Sequence, residues 1–303
     1  MPFFSVVIPT FNRIALLSRT LESVWGQRLS DYEVIVVDDG STDGTSKYLD
    51  RFRGRLTIIH QSNVGPGPAR NAAAKNARGQ YLAFLDSDDV WFPWSLELYW
   101  EIIRTESLPS FIAGKPYCFR DENDLDKVDE AEISVRRFAD YLASGDEWRW
   151  WGASSFVVHR KSFMKVGGFS SEWVNGEDAD LALKLGVEPG FVQIADPATF
   201  GYREHEGSAI SDLERTLAGA WLNVHTEKTR GYPGGMARAR ERRRILTRHV
   251  RPVTVDCLKK GLWKDAWSLY RATFSWHVEL SRAKYLTGFP LLALISKFRA
   301  ISP

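Results

Sequence analysis

Apolar and polar positions come in alternating blocks through the first third of the chain. Residues 3–8 form a short apolar run with the length and composition of a buried strand. After it, Ile14, Leu17, Leu21, Val24 and Trp25 recur at spacings of three and four, which marks one face of a helix. Segments 34–37, 56–59 and 81–85 repeat the strand pattern. Segments 42–52 and 69–77 read as helices, the second rich in alanine, a strong helix former. Strands separated by helices predict βαβ units and a mostly parallel sheet with right-handed crossovers.

The middle third is less regular. Segments 111–113 and 154–158 look like strands, and 191–194, after Gly190, reads as another. The acidic stretch 121–132 between them is a solvated loop or helix face. From about residue 212 the pattern turns helical, and Trp263, Ala266, Trp267, Tyr270 and Phe274 fall at spacings of three and four. The 303 residues therefore divide into an α/β domain over 1–211, with halves 1–110 and 111–211, and a helical extension over 212–303.

Composition narrows the class. Charged residues are 26%, apolar residues 44% and the net charge +2, values of an ordinary globular protein and not of a dedicated nucleic-acid binder. Cys118 and Cys257 are far apart and have no zinc spacing, so a reducing compartment is the simplest context. No run of about 18 apolar residues predicts a membrane span. Met1-Pro2-Phe3-Phe4-Ser5 has no basic n-region or cleavage site, so no signal peptide and a cytoplasmic location are expected.

Four polar clusters stand where successive strands end. They are Pro9-Thr10-Phe11-Asn12, Asp38-Asp39-Gly40-Ser41-Thr42-Asp43, residues 63–71 from Asn63 to Asn71, and Asp86-Ser87-Asp88-Asp89. Each alone reads equally as a turn with helix-capping residues. Together, at the carboxyl ends of parallel strands, they converge on one edge, where α/β sheets bind ligands. A nucleotide accounts for the residue types. Phe11 offers a face for a base, Asp39 an acceptor for an imide N–H, and Arg70 a phosphate partner at a helix start. Asp86, Asp88 and Asp89 supply the hard oxygen ligands that suit Mg²⁺ or Mn²⁺. A dinucleotide fold and a P-loop are disfavoured, because Pro9-Thr10-Phe11-Asn12-Arg13 contains no glycine where G-x-G-x-x-G belongs, and no Walker A lysine motif is present.

These segments resemble the inverting glycosyltransferases of family 2, with a GT-A fold. The resemblance rests on Val6-Val7-Ile8-Pro9-Thr10-Phe11-Asn12, the Val36–Asp43 segment, residues 63–71 and Phe84-Leu85-Asp86-Ser87-Asp88-Asp89. Val166-Gly167-Gly168-Phe169 and Gly176-Glu177-Asp178-Ala179-Asp180-Leu181 extend it, so that it covers roughly 3–211 and leaves the tail uncovered. It implies a GT-A nucleotide-diphospho-sugar transferase fold with a C-terminal helical extension. It also implies that Asp39 recognises the base with Pro9 and Phe11 lining its pocket, and that Asp86-Ser87-Asp88 is the D-x-D unit holding nucleotide and a divalent cation. Asp88 is its principal residue and Asp89 stands close behind. Asp178 resembles the catalytic base, and His205 a further metal or diphosphate contact, with a plain surface histidine as the other reading.

The implied reaction needs those parts. Inverting transfer takes one base for the acceptor hydroxyl proton, a cation for the leaving diphosphate, and no second carboxylate as nucleophile. A UDP-sugar donor is expected, with a glycan or lipid-linked acceptor. Absence of a Q-x-x-R-W signature points to transfer of one sugar per encounter. Trp150, Trp151 or Trp173, with Trp148 nearby, are candidates to touch the acceptor, although such rings also build cores. The arginine-rich run from Arg238 to Arg251 reads as a solvated helix face or as a surface for an anionic membrane, with Trp263, Trp267, Phe289, Leu291 and Leu292 adding apolar contact. A sugar-phosphate nucleotidyltransferase or an inactive nucleotide-sugar binder is the alternative. The first lacks its Gly-rich loop here, and intact Asp86, Asp88 and Asp178 speak against the second.

Overall fold

A computed structural model describes residues 1–145, 147, 152–205 and 212–301, with side chains through 297. The described residues form two compact units. One is drawn from Met1–Tyr141, Trp148–Trp173 and Glu188–Ser208, the other from Leu142–Glu147, Val174–Val187 and Ala209–Pro303.

The first unit is built on an eight-stranded sheet. Its left half is β1 (Phe4–Thr10), β2 (Tyr32–Asp38), β3 (Thr57–His60) and β4 (Tyr81–Phe84), with β1 parallel to β2 and β4, and β2 parallel to β3. Every residue of β1 and β4 is buried, which is why these strands read as continuous apolar runs and not as alternations. The helices α1 (Ile14–Trp25), α2 (Thr45–Leu49) and α3 (Pro66–Asn76) connect them. Leu17, Leu21 and Val24 of α1 are fully buried, as their spacing requires. Thr10 pairs with Asp38, and Asp38 with His60, so three strand ends are level.

Short β5 (Val90–Trp91) and α4 (Ser95–Thr105) follow β4. The sheet is completed by β6 (Phe111–Ala113), β8 (Ser134–Phe138), β9 (Phe156–His159) and β10 (Phe191–Asp196), while β7 (Pro116–Phe119) belongs to a separate small sheet. The strand order is β3-β2-β1-β4-β9-β6-β10-β8. β9 runs antiparallel between β4 and β6, and β8 is an antiparallel edge. α5 (Arg160–Lys165) follows β9, and β11 (Phe200–Arg203) lies between β5 and β7 in the small sheet. That small sheet matters for the site. It ties the segment just after Asp89 to the segment just before His205.

Several elements differ from the sequence expectation, among them the short strands β5, β7 and β11. The helix expected over 42–52 begins only at Thr45, because Gly44 before it is left-handed (φ 94°) and the Thr45 amide donates to Asp43 Oδ1 at 3.0 Å in a turn, and it ends in a 3₁₀ turn over Asp50–Phe52. β8 has no apolar run to announce it, since it is an edge strand reading Ser-Val-Arg-Arg-Phe. α4 was not expected, although Leu96, Leu98, Tyr99, Ile102 and Ile103 are all buried.

The second unit holds α6 (Glu177–Lys184), α7 (Leu213–Lys228), α8 (Ala239–Lys259), α9 (Trp263–Glu279) and α10 (Ala283–Ile301). The arginine-rich run is not a uniform solvated face. Arg242 is buried, its Nε donating to Glu227 Oε2 at 2.6 Å and its Nη1 to the carbonyls of Pro233 and Gly235. Arg243 pairs with Glu279 and Arg238 with Glu241, while Arg240 and Arg244 are exposed. Phe289 is also not a surface contact. It is buried and stacks on Tyr270 with centroids 4.4 Å apart. Leu291 is exposed. No helix among the described residues is long and apolar enough to cross a membrane.

Candidate active site

The four strand-end clusters are joined in a closed circuit of polar contacts, all within the first unit. Asn12 links the first cluster to the second. It adopts a left-handed φ of 51°, a conformation asparagine tolerates, and its Oδ1 accepts from the Thr42 amide at 2.7 Å while its own amide donates to Ser41 Oγ. Asp39 links the second to the third. Its Oδ1 accepts from Gln61 Nε2 at 2.7 Å and the Val64 amide at 3.1 Å, and its Oδ2 accepts from the Gly65 amide at 2.8 Å. Arg70 links the third to the fourth, donating from Nη2 to Asp86 Oδ1 at 2.5 Å. Arg13 closes the ring by donating to Asp88 Oδ2.

Each candidate side chain has a distinct setting. Pro9, the next-to-last residue of β1, is buried, and Phe11, just beyond the strand, is exposed. Asp39 is buried, and three N–H donors occupy most of its four or so acceptor positions, leaving room on Oδ2 for a ligand donor. Thr10 Oγ1 is buried without a hydrogen-bond partner among the described residues, an unmet polar atom at the mouth of β1. Arg70 is buried one turn inside α3, which begins at Pro66 and not beside Arg70 as expected, with its guanidinium 5.0 Å from the centre of the Phe169 ring. The glycine before Phe169 is needed there. Gly168 has φ +70°, and a Cβ would stand 2.4 Å from Asn71 Oδ1. That oxygen accepts from the Phe169 amide at 2.9 Å, while Asn71 Nδ2 donates to the Phe169 carbonyl.

The acidic cluster divides its work. Asp86 pairs with Arg70, and its amide donates to Ser154 Oγ at 3.0 Å. Asp88 Oδ2 lies 3.0 Å from His205 Nε2 and also receives the Arg13 guanidinium. Asp89 is turned inward, its Oδ1 accepting from the Arg203 amide at 3.1 Å. Burial first and then the charge of Asp86 push its carboxyl up to about 7, against the lowering effect of the Ser154 and Arg203 hydrogen bonds and the Arg13 charge. Arg203 also donates from Nε to the Asp88 carbonyl at 3.0 Å. Arg203, the last residue of β11, and His205, two residues beyond it, thus reach Asp89 and Asp88 from more than a hundred residues away in sequence.

Does this set fit a divalent cation? Among the described residues no group of three or more His, Cys, Asp or Glu side chains is disposed to hold a metal ion. Asp88 and His205 nevertheless meet at one oxygen, with Asp86 two residues away. A cation that keeps several ligands for phosphate and water needs only one or two protein groups, so the set fits a metal shared with a diphosphate.

Asp178 is the second residue of α6, in the second unit. It is half-buried, and its Oδ1 accepts from the Ala179 amide at 2.7 Å. Glu177, Asp178 and Asp180 all stand in the first helical turn, where the helix dipole favours negative charge. The α6 segment is anchored from within its own unit. Asn175 Nδ2 donates to Thr216 Oγ1, and the Tyr232 hydroxyl lies 3.0 Å from Asp180 Oδ1. Trp173 is exposed, and its indole packs over Gly65, within 3.6 Å of where a Cβ would be. Trp148, Trp150 and Trp151 lie outside the described residues. Thr10, Arg13, Gln61, Ser154 and Arg203 join the site without having been singled out. Only Thr10 and Arg13 had a sequence signal, their place in or beside the first cluster.

The model of glycosyl transferase family 2 matches residues 5–167, more than half of the chain. The chain belongs to glycosyl transferase family 2. A glycosyltransferase of Haemophilus influenzae, named as uncharacterized, is 29% identical over 233 residues, 74% of this chain and 77% of its own. The putative teichuronic acid biosynthesis glycosyltransferase TuaG of Bacillus subtilis is 36% identical over 138 residues, 44% of this chain and 55% of its own. Residues 1–349 of Staphylococcus aureus TarS, solved with UDP-GlcNAc, superpose with a TM-score of 0.58 at 19% identity, covering 92% of each chain. This glycosyltransferase therefore has the GT-A architecture, a large mixed sheet flanked by helices, with further helices at its C-terminal end. It spans about half the length of several curated relatives that it matches.

Proposed function

We propose that this glycosyltransferase moves a sugar from a UDP-sugar to an acceptor hydroxyl with inversion, aided by Mn²⁺ or Mg²⁺. The observation that supports the reading is the closed circuit of polar contacts that brings the four strand-end clusters together. Phe11 stacks on the base. Pro9 shapes the pocket wall, and Asp39 Oδ2 and Thr10 Oγ1 meet the base's polar edge. Arg70 and Asp86 hold the ribose and phosphates. Asp88 and His205 hold the cation, which neutralises the leaving diphosphate when bound. Asp89, buried behind them, is a positioning residue that fixes the end of β11 at Arg203. Asp178 takes the proton of the attacking hydroxyl, the role its Glu177-Asp178 motif suggests. Uridine is favoured because TarS was solved with UDP-GlcNAc. Surface polysaccharide assembly is favoured by the likeness to TuaG, named for teichuronic acid biosynthesis. A lipid-linked acceptor of that kind would bring a cytoplasmic enzyme to the anionic inner face of the plasma membrane.

The test is nucleotide release from a panel of nucleotide sugars, with Mn²⁺ or with a chelator. Release of UDP from a UDP-sugar only with the cation, and a fall in transfer of about 10²–10⁴ in Asp178→Asn with unchanged UDP binding, supports the assignment. Turnover undiminished by chelation refutes the metal role. A preference for a non-uridine donor refutes the base assignment.

A further inference from the structure

Arg13 has no role in the reaction as described, yet it occupies the oxygen that the metal reading needs. Its guanidinium donates to Asp88 Oδ2, the oxygen that lies 3.0 Å from His205 Nε2. The three clustered carboxylates have different partners. Asp86 is held by Arg70, which is buried and stacked near Phe169, and Asp89 by the backbone amide of Arg203. Neither partner is able to leave without disturbing the core. Arg13 is different. Its side chain is 27% exposed, and it springs from the residue just before α1, beside the left-handed Asn12. Its long aliphatic stem lets the charged head move while the backbone stays in place.

A guanidinium and a divalent cation drawn to one carboxylate oxygen oppose each other, since Asp88 Oδ2 already faces both Arg13 and His205. They compete for the same lone pairs and repel each other at contact distance. We propose that Arg13 is an internal competitor of the divalent cation. It neutralises Asp88 in the metal-free enzyme and swings away when the cation binds. Loading is thereby coupled to the donor, since the diphosphate brings negative charge that a planar guanidinium pairs with well. The cation alone should bind weakly, and the cation with nucleotide much better. This inference rests on the metal reading above, through Asp88 and His205.

The test is a Mn²⁺ titration followed by electron paramagnetic resonance of the free ion, with and without UDP. It uses wild type, Arg13→Gln, Arg13→Lys and His205→Ala, with each fold checked by circular dichroism. Without UDP, Arg13→Gln should bind Mn²⁺ at least fivefold more tightly than wild type, and the gain from adding UDP should shrink. Arg13→Lys keeps the charge and should stay within twofold of wild type. His205→Ala should weaken binding, so two residues sharing one oxygen give effects of opposite sign. Equal or weaker Mn²⁺ binding by Arg13→Gln, in a protein where wild type binds it, overturns the competitor and leaves the metal reading intact. No Mn²⁺ binding by any of the proteins, while UDP still binds, overturns the metal reading and this inference with it.

Discussion

Arg242 is the sharpest test of how the helical unit is held together. Its side chain and that of Glu227 are each 2% exposed, and the guanidinium spends its donors on Glu227 Oε2 at 2.6 Å and on the Pro233 and Gly235 carbonyls at 2.7 and 2.9 Å. Arg242→Met keeps much of the volume but leaves a buried carboxylate and two carbonyls without that partner. Breaking a buried pair from one side costs about 3–5 kcal/mol, because the remaining charge is uncompensated. Arg243, whose Nε lies 3.5 Å from Glu227 Oε1, softens the loss and places the expected value near the lower end. The double variant Glu227→Gln, Arg242→Met removes both charges and should recover at least half of it. The exposed Arg240 and Arg244 provide controls in the same helix, and their methionine variants should fall within about 0.5 kcal/mol of wild type. Urea unfolding followed by circular dichroism of wild type, Arg242→Met, Glu227→Gln and the double variant gives the four free energies of the cycle, which yields the coupling. A cost below about 1 kcal/mol for Arg242→Met, or additive behaviour of the pair, refutes the reasoning that the pair is desolvated and mutually dependent.

Three further outcomes follow from the same structure. Gly168→Ala should cost about 2–4 kcal/mol in urea unfolding, since its Cβ would meet Asn71 Oδ1 at 2.4 Å in a left-handed backbone, whereas Gly167→Ala, with φ +82° and nothing within 4 Å, should cost only about 1 kcal/mol; equal costs would show that Asn71 yields freely. His277 is buried with neither ring nitrogen hydrogen-bonded among the described residues, and burial, then the charges of Arg251 and Arg282, lower it from 6.5 to about 4. The unfolded chain therefore binds more protons over that window, so the stability from this group is whole above about pH 7 and falls by about 3 kcal/mol as pH drops toward 4; His277→Leu should flatten the stability profile between pH 7.5 and 4.5, and parallel profiles would disprove the assignment. Asp39→Asn sets an amide against the Val64 and Gly65 N–H donors, so UDP affinity by calorimetry should drop at least tenfold, and an unchanged affinity would remove Asp39 from the base pocket.

The first half of the sheet was legible because β1 and β4 are buried on both faces, so 3–8, with Ser5 its one polar residue, and 81–85 stand out as apolar runs between polar clusters. The edge strand Ser134–Phe138 was not, because an edge strand has little apolar demand and no pattern of its own. The arginine-rich run shows the same limit. Composition gives its charge, but only packing against Glu227 decides that Arg242 is internal while Arg240 is exposed.

The sequence by itself determined the family, the order of the strand-end clusters and the residue types that fit a nucleotide, because these depend on local spacing and on parallel strands ending at one edge. Tertiary structure decided how Asp86, Asp88 and Asp89 divide their partners. Three carboxylates within four residues are alike in sequence and differ only in what faces them. Arg70 comes from α3, Arg13 from the residue just before α1, Arg203 from the end of β11 and His205 from two residues beyond it. Those partners come from segments far apart along the chain, so no local pattern carries the information. The physical reason is desolvation, since a buried carboxylate must take whatever donor the fold presents to it, and that donor sets its chemistry.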